Sequence, residues 1–174
     1  MQSLVLTAIG DDRPGLVGAL STLISSQGGN WLESSMAQLA GKFAGILRVD
    51  VAEADAPALI AALERFEALK VTVTIAGTRA TAPGTPRRLH LTLVGQDRVG
   101  IVREVSQVLT RHEVNVEELN TVTSSAPMSG ETLFHARASL HGGPGLDAAA
   151  LKTDLEALSN DLIVDITLDE VVSI

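Results

Sequence analysis

No cysteine occurs in the 174 residues, which excludes a disulfide framework and any thiolate metal site. Aromatic residues are nearly absent: one Trp, three Phe and no Tyr. The core must therefore be aliphatic, and a nucleic-acid-binding sheet that stacks bases on aromatic rings is out of reach. No apolar run extends to the roughly 18 residues of a membrane span. Met1-Gln2-Ser3 lacks the basic stretch and small-residue cleavage site of a secretory signal. These absences predict a cytoplasmic protein without a membrane partner.

Positive charge is also in short supply, with 13 Lys and Arg against 21 Asp and Glu and a net charge of −8. An acidic surface is repelled by phosphate backbones, so no direct nucleic-acid partner is expected. The motifs of familiar chemistry are missing as well: no P-loop, no G-x-S-x-G and no H-E-x-x-H. Glu117 and Glu118 fall near His112, but no nucleophile accompanies them. His90 and His135 are expected on neighbouring strands. Without a further ligand beside them, a structural or exposed pair is the expectation, and no metal or cofactor is predicted. Arg13 and Arg98 could serve a phosphate-cradling loop of the acylphosphatase kind, but their loops are acidic and oppose phosphate. A non-catalytic protein is expected.

What is present is an internal repeat. The run Leu4-Val5-Leu6-Thr7-Ala8-Ile9 leads into Gly10-Asp11-Asp12-Arg13-Pro14-Gly15-Leu16-Val17. The run Leu89-His90-Leu91-Thr92-Leu93-Val94 leads into Gly95-Gln96-Asp97-Arg98-Val99-Gly100-Ile101-Val102. By direct count, 11 of the 31 residues from 4 to 34 are identical to their partners at 89 to 119. A duplication of this length means two small domains, each expected to dock on the other because a domain of about 80 residues buries too little surface alone.

Read in order, the chain predicts a strand over 3–10 and a helix over 14–27 whose apolar stripe is Leu16, Val17, Leu20, Leu23 and Ile24. Pro14 suits its first turn, Asp12 is placed to cap it or to complement the positive end of its dipole, and Gly28-Gly29 end it. Strands follow over 30–39 and 43–52, joined at Ala40-Gly41-Lys42. Asp55 opens a second helix with Pro57 in its first turn, and 71–75 is a β-branched strand. Residues 80–87 read as a linker. The second half repeats the order with a strand over 88–95, a helix over 99–112, and a strand over 115–125. After a loop with Pro127, Ser129 and Gly130 come a strand over 132–140, a break at 141–145, a helix over 147–159 and a strand over 162–168. Two β-α-β-β-α-β units mean an α+β protein of two tandem ferredoxin-like sandwiches, residues 1–79 and 88–174.

Pro14 becomes Val99 in the second copy, while the Asp-Arg and the Gly persist. A retained Gly just inside a helix costs about 1 kcal/mol against Ala, and close approach of a ligand or chain is the expected reason. Exposed N–H groups at a helix start can cradle a carboxylate. Asn30 and Asn115 are the other shared polar pair. They fall at the far end of the helix, so a second unit would have to bring an Asn to a turn.

Asp-Arg-Pro-Gly-Leu-Val after an apolar strand, with Asn-Trp or Asn-Val after the helix, resembles the ACT domain, a small-molecule regulatory module. Two such units filling the chain resemble the glycine cleavage system transcriptional repressor family. The resemblance implies an amino-acid ligand, glycine or serine, bound between ACT units. The loop contribution would be Asp12, Arg13, Gly15 and Leu16, or Asp97, Arg98, Gly100 and Ile101; the neighbour would add Asn30 or Asn115. Family sites often have Asn or His where Asp12 and Asp97 stand, and a carboxylate there suits an ammonium. It further implies a regulator acting through a protein partner such as a transcription activator, compatible with a homodimer. The alternative is a free-standing ACT regulatory subunit of a metabolic enzyme.

Overall fold

The computed structural model describes residues 1–77, 87–127 and 130–168. The chain divides into two compact units, Met1–Ala80 and Thr81–Ile174. The linker expected at 80–87 lies outside the described residues, apart from Arg87, and so does Ser129 of the expected loop.

The first unit runs β1 (Gln2–Asp11), α1 (Leu16–Ser26), β2 (Asn30–Leu39), β3 (Lys42–Val51), α2 (Ala56–Glu64) and β4 (Lys70–Ile75). The second repeats it as β5 (Arg87–Gln96), α3 (Ile101–Arg111), β6 (Asn115–Ser125), β7 (Thr132–Gly142), α4 (Ala148–Glu156) and β8 (Ile163–Leu168). Each unit has one antiparallel sheet, ordered β2-β3-β1-β4 and β6-β7-β5-β8. This is the ferredoxin-like α+β arrangement, made twice.

Alternation along the central strands decides which face is covered. Leu4, Leu6 and Ala8 on β1 face the helices with Leu47, Val49 and Val51 on β3, and Leu16, Leu20, Ile24, Leu59 and Leu63 close over them. In the second unit Leu89, Leu91, Leu93, Ala136, Ala138 and Leu140 lie under Ile101, Val108, Leu109, Leu151 and Leu155. Each such buried Leu or Val contributes roughly 1.5–3 kcal/mol. Among the described residues, no helix of the same unit covers the other face of its sheet. The outer strands β2 and β6 are largely exposed.

Gly28 takes a positive φ of 71° after α1, and the N–H groups of Gly28 and Gly29 return to Ser25 and Ile24. That ends the helix as its glycines predict. The helix starts differ from expectation. α1 opens at Leu16, after Pro14, with Gly15 at the N-cap, and no side chain caps it. Asp12 is therefore not a cap: its N–H donates to the Gly41 carbonyl at 2.9 Å, which ties the turn to the β2–β3 hairpin. Asp55 stands at the N-cap of α2 and its carbonyl accepts from the Leu59 N–H at 3.0 Å, but its side chain caps nothing, whereas the Asp147 side chain accepts from the N–H groups of Ala149 and Ala150 at 3.0 Å. β7 also runs through His141 and Gly142, where a break was expected. No helix among the described residues is long and apolar enough to cross a membrane.

Candidate functional site

The two turns carry the residues singled out by the repeat. Gly15 has φ 89° and ψ 0°, and Gly100 has φ 93° and ψ −1°. A Cβ added at Gly15 would meet nothing within 4 Å. Gly15 stands at the N-cap and not inside the helix, and its left-handed backbone is a reason for glycine in its own right, beside the expected approach of a ligand or neighbouring chain. That conformation turns the chain sharply, so the first N–H groups of each helix are left without a side-chain cap. Leu16 and Ile101 are each only 4% exposed and belong to the cores. Their side chains are therefore not offered to a ligand, and the Ile101 N–H already donates to the Arg98 carbonyl at 3.3 Å.

The arginines of the two copies are in different states. Arg98 donates through Nη2 to Glu104 Oε2 at 2.5 Å, folding back over the first turn of α3. Hydrogen bonding to Arg98 lowers the Glu104 pKa, and the same bond raises that of Arg98. In the first copy Ala19 stands where Glu104 stands, and exposed Arg13 has no ion pair or hydrogen-bond partner among the described residues. The neighbouring charge is consumed: Asp11 is bonded to Lys42 on β3, which lowers its pKa. Asp12 and Arg13 therefore present an acid and a free guanidinium beside open helix N–H groups. Asp97 keeps the anchoring role of Asp12, its N–H donating to the Thr132 carbonyl at 2.8 Å.

Asn30 and Asn115 are the first residues of β2 and β6 and are exposed. Each is separated from its own turn by a helix of 11 residues, about 16 Å at 1.5 Å per residue. Neither unit brings its own turn and Asn together. Register adds neighbours that the linear sequence does not display. Asn30 lies opposite Asp50, which lies opposite Ser3; Asp50 Oδ1 and Ser3 Oγ are enclosed without a hydrogen-bond partner. Asn115 lies opposite His141, which lies opposite Arg88, and Arg88 Nε is 3.8 Å from Glu117 Oε2. The shared Asn thus sits beside a carboxylate in one copy and beside basic groups in the other.

The histidines separate. His135 Nε2 shares a hydrogen bond of 2.7 Å with Ser124 Oγ, and in register it faces Val94, while His90 faces Ser139. His112 pairs with Asp154 at 2.8 Å and not with Glu117 or Glu118. Among the described residues no three His, Asp or Glu side chains gather as a metal site would need.

A family model described as the ACT domain matches residues 2–76, nearly the whole first unit. The second unit repeats it strand for strand. The chain is a tandem ACT-domain protein. It is 26% identical over 162 residues to the glycine cleavage system transcriptional repressor of Escherichia coli K12, covering 91% of this chain and 85% of that protein. A solved structure of an unknown protein from Galdieria sulphuraria superimposes with a TM-score of 0.83 at 32% identity, over 98% and 99% of the two chains. A structure described as a candidate glycine cleavage system transcriptional repressor gives a TM-score of 0.68 at 18% identity, over 97% of this chain and 98% of that one. At that identity the second likeness speaks for the fold. Both matches run through the two ACT units.

Proposed function

We propose that this tandem ACT protein is a non-catalytic amino-acid sensor that regulates transcription of a glycine cleavage system through a protein partner. The observation that carries the sensing is the first turn: an unpaired Arg13 beside uncapped helix N–H groups, with Asp12 next to it. Together they offer donors to a carboxylate and one acceptor to an ammonium, the two ends of glycine. In the second turn the Ile101 N–H donates to the Arg98 carbonyl and the guanidinium is held by Glu104, so the first turn is the stronger site. Because turn and Asn are at opposite ends of a helix, another ACT unit, of this chain or of a second copy, completes the site with Asn30 or Asn115. The exposed edges β2 and β6 suit a homodimer, since an unpaired strand edge invites pairing.

The regulatory half of the reading is supported by the name of the Escherichia coli relative and by an acidic surface that disfavours DNA. Glycine is small, so ligand efficiency limits affinity to the micromolar to millimolar range. Titration calorimetry with glycine and serine on wild type, Arg13→Ala and Arg98→Ala tests it. Arg13→Ala should lose most of the heat and Arg98→Ala little. Affinity purification with and without glycine should recover a transcription regulator; recovery of a metabolic enzyme would favour the alternative of a free-standing ACT regulatory subunit. Equal heats for all three proteins would sink the turn as the site.

A further inference from the structure

The helix-free faces of the two sheets carry the same acid in different company. In the first unit Glu33 on β2 lies opposite Arg48 on β3, and the two form an ion pair of 3.1 Å between Arg48 Nε and Glu33 Oε1. In the second unit Glu118 on β6 occupies the place of Glu33, but Ser139 lies opposite it. The arginine has moved one row along: Arg137 lies opposite Asn120, where the first unit has Ile46 opposite Ser35. Arg137 has no ion pair or hydrogen-bond partner among the described residues. Asn120 Nδ2 donates to Glu118 Oε1 at 2.8 Å and holds that carboxylate in place. Glu118, Asn120, Arg137, Ser139, His90 and Thr92 line an open hollow of about 230 Å³.

The geometry points to a second amino-acid site on this face, present in the second unit alone. Rows on one face of a sheet are two residues apart, about 7 Å. The hollow of about 230 Å³ that Glu118 and Arg137 both line has room for a small zwitterion. The ligand class is a free α-amino acid: its carboxylate takes the two-pronged bond that guanidinium offers, and its ammonium donates to Glu118. In the first unit the ion pair satisfies both charges, and the apolar Ile46 stands where a carboxylate would need a donor. This site owes nothing to the turns and stands or falls apart from them.

The test is a titration of the whole ¹⁵N-labelled chain with glycine and with serine to about 50 mM, well past millimolar affinity, followed at arginine Nε–H and asparagine side-chain signals. Arg137 and Asn120 are expected to shift saturably. Arg137→Ile installs the residue that the first unit carries at this place, so the fold is retained; with it, or with Glu118→Gln, the Asn120 shift should need about tenfold more ligand. Acetate and methylamine, each carrying one charge of the zwitterion, should be weaker than glycine. Unmoved Arg137 and Asn120 signals, or titrations unchanged in both variants, overturn the site. Shifts at Arg13 without shifts at Arg137 would leave the turn standing and remove this face; the reverse pattern would do the opposite.

Discussion

Replacing Gly15 by Ala isolates what the turn demands of its glycine. At φ 89° and ψ 0° an L-residue is held in the left-handed region at a cost of roughly 1–2 kcal/mol. The new methyl meets nothing within 4 Å, so no packing change enters. A less flexible unfolded chain recovers about 0.4–1 kcal/mol. The net loss is then about 0.8 kcal/mol at the centres of the two ranges, and Gly15→Asn should lose less because Asn visits this conformation more readily. Trp31 is the single tryptophan and packs against the first core, so its fluorescence reports the first unit alone in a urea titration. The midpoint should fall at constant slope; for a unit of this size 1 kcal/mol corresponds to about 4–8 °C in Tm. Gly45→Ala is the control of opposite cause: its Cβ would lie 2.4 Å from Met36 Cγ and 2.8 Å from the Ser35 carbonyl, and Asn there should be worse than Ala. A Gly15→Ala protein as stable as wild type that no longer binds glycine would refute the backbone argument and restore ligand approach as the reason.

Leu63 on α2 is fully buried, and Leu63→Ala should cost about 2–5 kcal/mol in the same fluorescence-detected titration. The lowered pKa values of Asp11, Glu104 and Asp161 each come first from a side-chain hydrogen bond, from Lys42, Arg98 and Ser159 respectively. A depressed carboxyl contributes stability above its unfolded value that is lost as pH falls through its folded value, so the urea midpoints of both units, followed by far-ultraviolet circular dichroism because Trp31 reports only the first, should drop below about pH 4.5. Glu104→Gln should flatten that dependence slightly, since the pair is solvent-screened, and by freeing Arg98 it should strengthen glycine binding at the second turn.

The number of units, the order of their elements and the helix-facing residues were legible in the chain itself. Turns and periodicities are local: Gly28-Gly29 end a helix, Pro57 opens one, and Leu4, Leu6 and Ala8 alternate whatever lies across from them. The duplication multiplied that legibility by showing each signal twice. What lies across a strand is not local, and only the tertiary structure decided it. Register put Asp50 beside Asn30 and set Arg137 one row from Glu118, whereas it set Arg48 directly opposite Glu33. Arg98 and Glu104 are six residues apart, a spacing that no helical periodicity flags, and they meet because a left-handed Gly100 folds the turn back over α3. A glycine's identity is visible in a sequence; the sign of its φ is set by the chain direction that strand and helix impose on either side of it.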